Sequence, residues 1–180
     1  MAALDRLFKH WPILAFVISA GMLAIAHGFQ TFGGLAPCHL CLKQREVYWV
    51  ALGVSAIAVA AGFTRVGAPA PRIASLILAA VFAYGAYLAA FHAGAEWKWW
   101  PAPATCSSSG TAVSAADLQA LLSGTVKKVP PCDQAPWRLL GLSMAGWNCL
   151  ASVALVGLSL TAAARPGAKN AGVRSMEPAR

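Results

Sequence analysis

The sequence predicts an all-α membrane protein, a four-helix transmembrane bundle with a short interfacial helix in its second outer loop. Of 180 residues, 58% are apolar and 11% charged, where a soluble domain carries about 25% charged residues. The apolar residues fall into four long stretches, each near the roughly 20 residues that cross a bilayer. None alternates as a membrane β-strand does, and in lipid a helix satisfies its own backbone hydrogen bonds.

The first helix is expected over about 11–31, because Trp11 to Ala26 carries no charge and the uncharged run continues past His27 through Pro37. A cleaved signal peptide is the competing reading: Arg6 and Lys9 precede the run, and Ala24-Ile25-Ala26 resembles a cleavage site. The run continues through Gly28, Phe29 and Phe32, beyond the roughly 7–15 residues of a signal core, so it is kept as a span. Val47–Thr64 supports a second helix over about 44–64, Ile73–Phe91 a third over 72–92, and Leu139–Ala164 a fourth over 139–163. Pro12, Pro69, Pro71, Pro136 and Pro166 sit at the edges, where helices tolerate proline. Residues 1–180 are thus expected to form one membrane domain, with outer loops over 32–43 and 93–138 and a tail over 165–180.

Lysine and arginine placement orients the bundle. The amino terminus, the middle loop and the tail hold eight basic residues against Asp5 and Glu177, leaving +6. The opposite side holds six basic against four acidic residues, leaving +2. The first side is expected to be cytoplasmic, with both termini inside. The basicity is therefore a topology signal, with no basic and aromatic patch of the kind that binds nucleic acid.

Four spans put both long connections on one side. Cys38 and Cys41 lie in the first, Cys106 and Cys132 in the second, all facing the compartment where disulfides persist. The second connection is long, and long loops are usually functional. Trp97, Trp99 and Trp100 suggest that it starts at headgroup level. Within it Ser114 reads as a helix cap, Val113 and Leu118 as a hydrophobic staple, and Gly124 as a stop. This is the expected interfacial helix, with flexible chain on each side letting Cys106 and Cys132 move.

The sharpest motif is Pro37-Cys38-His39-Leu40-Cys41-Leu42-Lys43-Gln44-Arg45. A CxxC pair closes an exchangeable disulfide, and a nearby cation or helix amino terminus favours its thiolate. Cys41 and Arg45 are four apart, one face of a helix, so Arg45 is expected to stabilise a Cys41 thiolate and to hold an electron-accepting oxygen. Plainer readings stand beside this one. The four cysteines can form static disulfides in any of three connectivities. Zinc ligation by four thiolates normally uses closely spaced pairs, unlike Cys106 and Cys132. Arg45 also suits a snorkelling anchor, and His92 suits either an interfacial histidine or a site residue. Cys149 reads as helix packing, and Asn148, Trp137 and Trp147 as packing or interfacial residues.

These residues resemble the disulfide bond formation protein B (DsbB) family over roughly 10–162. The resemblance rests on Pro37-Cys38-x-x-Cys41 with Arg45, on His92, on Cys106 and Cys132, and on Pro131–Arg138 running into Gly141–Asn148. It implies an inner-membrane protein-thiol:quinone oxidoreductase with its cysteine loops in the periplasm. Its substrate is expected to be a periplasmic thioredoxin-fold, DsbA-like oxidant, and its cofactor ubiquinone or menaquinone, without a metal. Cys106 would form the mixed disulfide with the partner, Cys132 would attack Cys38, and Cys41 would leave as a thiolate beside the quinone. Arg45, His92 and Cys41 would contact that quinone. The alternative from another class is a non-enzymatic membrane protein whose outer loops are held by structural disulfides.

Overall fold

The computed structural model describes residues 8, 10–63, 70–103, 106, 119, 123 and 131–165. Four long helices succeed one another in these residues: α1 (Trp11–Thr31), α2 (His39–Phe63), α3 (Ala70–Glu96) and α4 (Met144–Ala164). Two short strands, β1 (Arg138–Leu139) and β2 (Leu142–Ser143), precede α4. All four helices are long and apolar enough to cross a membrane. The molecule is the four-helix transmembrane bundle that its composition predicts. Val17, Ile57 and Val153 turn outward with 60, 71 and 56% of their surface exposed, a face that lipid solvates and water does not.

α1 packs on α2, α2 on α3, and α3 most extensively on α4, whereas α1 and α4 meet only sparingly. The bundle therefore has a gap between its first and last helices. Its interior combines Trp11, Leu78, Phe82 and Leu155 with buried Ser19, Ser55, Ser152 and Ser159. Such small side chains let helices approach closely in lipid. At Gly85 α3 comes close to α2, for an added Cβ would lie 2.9 Å from Val47 Cγ1. Trp11 Nε1 donates to Ser159 Oγ at 3.2 Å, tying the start of α1 to the end of α4.

Three helix boundaries depart from the sequence reading. α2 begins at His39 rather than at 44, so the CxxC motif lies in its first turn. α3 continues to Glu96 rather than stopping at 92, which places His92 inside the helix. α4 begins at Met144 rather than at 139. There Arg138 pairs with Ser143 and Leu139 with Leu142 in a hairpin. Its two-residue turn has positive φ at Leu140 (52°) and Gly141 (82°), the geometry that suits the twist of paired strands. Ser143 then caps α4 by accepting from the Gly146 N–H at 3.1 Å. Hydropathy alone does not separate this hairpin from the apolar helix that follows. The expected interfacial helix lies outside the described residues apart from Gln119 and Ser123, which are joined by a 2.9 Å bond from the Ser123 N–H to the Gln119 carbonyl.

Candidate functional site

The site is built first at the amino terminus of α2. Cys38 is the last residue before that helix; its carbonyl accepts from the Leu42 N–H at 3.1 Å and its sulfur from the Cys41 N–H at 3.3 Å. Its Sγ thus takes the capping place usually held by a serine or aspartate oxygen. The two thiol sulfurs, Cys38 and Cys41, are joined by a hydrogen bond at 3.0 Å. That hydrogen bond, with smaller help from His92, holds the Cys38 thiol well below its ordinary 9.0 against the opposing effect of burial. The positive end of α2 favours the anion in the same direction.

The imidazole of His92 arrives from α3. Its Nε2 lies 3.7 Å from Cys38 Sγ and 3.7 Å from Glu96 Oε1, one turn further along α3. Its Nδ1 is held by Gln44 Nε2 at 2.9 Å. Gln44 Oε1 in turn accepts from Asn148 Nδ2 at 2.5 Å, and Asn148 Oδ1 accepts from the Tyr48 hydroxyl at 2.5 Å. All five of these polar residues are buried. A side-chain amide donating to Nδ1 leaves the proton of a neutral ring on Nε2, facing Cys38 and Glu96. The chain Tyr48–Asn148–Gln44–His92 thus fixes one tautomer from the bundle interior outward.

The second cysteine pair meets the first. Cys106 and Cys132 form a disulfide and pack with Cys38 and Leu40 in one buried cluster, flanked by Cys41, Phe91 and Ala102. Two features bring the outer chain back over the bundle. After α3, Lys98 adopts a left-handed φ of 62°, and Trp100 folds down so that its Nε1 donates to the Phe91 carbonyl at 2.9 Å and its ring stacks on Phe91. Gly94 makes that possible, because a Cβ there would run into the Trp100 indole. Lys98 also ion-pairs with Asp133, next to Cys132, and holds the Asp133 carboxyl below the usual carboxylate range.

Beside Cys41 lies a cavity of about 400 Å³ between α1, α2 and α4. Its walls are mainly apolar, from Met22, Ile25, Phe29 and Trp137, and the polar residues Gln44, Arg45, His92 and Asn148 also line it. Ile25 is 58% exposed on the outer face of α1, so the cavity borders the lipid-facing surface at the gap between α1 and α4. The chemistry available is thiol–disulfide exchange next to a mainly apolar pocket with a few polar side chains on its wall.

Comparison with known families matches residues 8–162 to the disulfide bond formation protein DsbB. The chain belongs to the DsbB family. The disulfide bond formation protein B of Methylococcus capsulatus is 31% identical over 156 residues, covering 82% of this chain and 89% of that protein. The protein of the same name from Marinobacter nauticus is 32% identical over 150 residues, covering 82% and 86%. That of Xylella fastidiosa is 30% identical over 168 residues, covering 89% and 92%. No solved structure matches this chain closely enough to carry an argument. As a DsbB member with four membrane-spanning helices, it is a multi-pass inner-membrane protein with a disulfide-forming oxidoreductase role.

Against the DsbB resemblance, the structure places the expected residues as follows. Cys38, Cys41, His92, Cys106 and Cys132 come together at one end of the bundle. Arg45 lines the cavity, but its guanidinium donates to Gln30 Oε1 at 2.6 Å and to the Ala26 carbonyl at 3.0 Å, both on α1. The sulfur held below its ordinary range is Cys38, by Cys41 first and His92 second. Cys149 is a free, half-buried thiol on α4. Sequence reading passed over Gln44, Tyr48 and Glu96, and it took Asn148 and Trp137 for packing. Polar residues inside apolar spans were the available signal: Gln44 and Tyr48 lie on the face of α2 that carries Cys41.

Proposed function

We propose that this protein oxidises the dithiol of a periplasmic thioredoxin-fold, DsbA-like partner and delivers the electrons to a membrane quinone. The carrying observation is the order of parts: a buried Cys106–Cys132 disulfide against Cys38, and Cys41 on the wall of an apolar cavity. The excess of basic residues at the termini and middle loop supports a cytoplasmic location for both termini, with the cysteine loops periplasmic. Static disulfides are a poor account of a CxxC pair whose thiols sit 3.0 Å apart and whose first sulfur is stabilised as an anion.

In this reading a partner thiolate attacks Cys106, forming a mixed disulfide and releasing Cys132. Cys132 attacks Cys38, opens the Cys38–Cys41 bond and releases Cys41 as a thiolate facing the cavity. Access decides that direction, since Cys38 packs with Cys132 and Cys41 lines the cavity. Acidity then favours the return. When the resolving partner thiolate frees its disulfide and Cys132 rejoins Cys106, Cys38 is the stabilised leaving group, ready to close on Cys41. The cavity fits a quinone: mainly apolar walls for a ring and tail, with Arg45 supplying N–H groups for a ring oxygen and His92 on the wall near Cys41. Bound there, a quinone supplies a two-electron, two-proton acceptor.

Partner capture tests the reading. A partner whose resolving cysteine is replaced by serine attacks the Cys106–Cys132 disulfide and stays disulfide-linked to Cys106, since its own second thiolate no longer frees it, and Cys106→Ser abolishes the adduct. Undiminished capture in Cys106→Ser contradicts the proposed route.

A further inference from the structure

The relay accounts for Cys38, Cys41, Cys106, Cys132 and the cavity and leaves one buried acid without a role. Glu96, the last residue of α3, is 8% exposed. Its Oε1 lies 3.7 Å from His92 Nε2, and its Oε2 has no hydrogen-bond partner among the described residues. His92 and Glu96 stand one helical turn apart. Cys38 and Cys41 face them from the start of α2, and Ser143 and Arg138 from the hairpin before α4, Ser143 by a hydrogen bond to the carboxyl group. A carboxylate kept only for structure would have both oxygens satisfied, and a buried charge with an orphan oxygen is costly.

We propose that Glu96 is the internal proton acceptor of this site: the Cys38 thiol proton reaches its carboxylate through His92 Nε2, so Cys38 becomes a thiolate with no net charge added to the apolar interior. The proposal rests on the relay reading only in taking Cys38–Cys41 to cycle between disulfide and dithiol. While the pair is a disulfide there is no thiol proton, and His92 Nε2–H faces the Glu96 carboxylate. Once a dithiol has reduced the pair, itself becoming a disulfide, two thiol protons are present. Cys41 keeps one and, with its sulfur 3.0 Å from that of Cys38, turns it toward the Cys38 anion. His92 Nε2 gives its own proton to Glu96 Oε1 and takes the other from Cys38 Sγ. One S–H bond breaks, one O–H bond forms, and no electrons move. The two anions share a single N–H and do not coexist beside it. The Gln44 bond to Nδ1 keeps that N–H on the shared side of the ring. Glu96 reaches Cys38 only through His92 and is in this sense a positioning residue.

Infrared difference spectroscopy of the full chain in detergent, reduced with dithiothreitol minus oxidised, without quinone or partner, reads the carboxyl group directly. A protonated-carboxyl band appears on reduction, shifts in deuterated water, and is absent in Glu96→Gln and in Cys38→Ser. No such band, or a band that survives Glu96→Gln, overturns the proposal. Should Glu96→Gln not fold, the deuterium shift in the native chain and the loss of the band in Cys38→Ser decide the matter. Turnover in Glu96→Gln falls on the order of a hundredfold while partner capture at Cys106 persists; unchanged turnover overturns the proton path. The two readings fail separately. A Glu96-dependent band without quinone-dependent turnover removes the relay and keeps the proton path, and normal turnover without the band does the reverse.

Discussion

Cys38 Sγ and His92 Nε2 lie 3.7 Å apart, the sulfur at the mouth of α2 and the imidazole one turn inside the end of α3. Fifty-four positions separate them in the chain, and only the packing of α2 on α3 unites them. The pairing links the exchangeable disulfide to a polar chain that runs into the bundle.

Cys38 acidity is the first consequence. With its thiol held well below 9.0 by Cys41 and His92, the reduced folded chain keeps a Cys38 thiolate at neutral pH, and the unfolded chain does not. The associated stability of the reduced fold is complete above 9.0 and is lost as pH falls through the lowered value. Alkylation of Cys38 should be nearly independent of pH between about pH 6 and pH 8, where an ordinary thiol gains reactivity steeply. A steep rise over that range would contradict the assignment.

Gln44 is predicted to matter through His92 and Asn148, although it bonds to neither sulfur. Gln44→Leu leaves His92 Nδ1 and Asn148 Nδ2 buried without their partner, a loss of about 1–3 kcal/mol. Thermal unfolding in detergent should show it, and turnover should fall with it because the His92 tautomer is no longer fixed. A melting temperature and turnover equal to the parent would leave the polar chain without a role.

Gly94 governs how the outer chain returns over the bundle. In Gly94→Ala the new methyl collides with the Trp100 indole, so Trp100 must leave Phe91. Overpacking of this kind costs about 1–3 kcal/mol. Tryptophan fluorescence should change and the rate of exchange between the two cysteine pairs should fall. An unaltered spectrum would show that Trp100 is not seated there.

Arg45 separates two roles. Its guanidinium bonds to α1 and also borders the cavity. Arg45→Ala should raise the KM for quinone on the order of tenfold, the size of a lost charge-assisted hydrogen bond, with partner capture unchanged. Kinetics equal to the parent would reduce Arg45 to a tie between α1 and α2.

Much of the architecture was legible because lipid imposes a simple rule on sequence. Long uncharged runs announce spans, and four spans place Cys38, Cys41, Cys106 and Cys132 on one side whichever way the bundle points. The boundaries were less legible, since a sulfur acting as cap at Cys38 and a hairpin turning through Leu140 leave no hydropathy signature. Within the site, the CxxC motif and Arg45 stand out by type. The Gln44, Asn148 and Glu96 side chains do not, because their meaning depends on which helices become neighbours. The Cys38 anion owes most to Cys41 within the same motif, and only the smaller share from His92 comes from a helix remote in sequence.

The most direct measurement is oxidation of a reduced thioredoxin-fold thiol oxidase by the purified protein in detergent, without oxygen, with and without added quinone. The account predicts oxidation only when quinone is present, one partner disulfide formed per quinone reduced, and its loss in Cys41→Ser. Oxidation indifferent to quinone, or a Cys38–Cys41 pair inert to both partner and quinone, would contradict it.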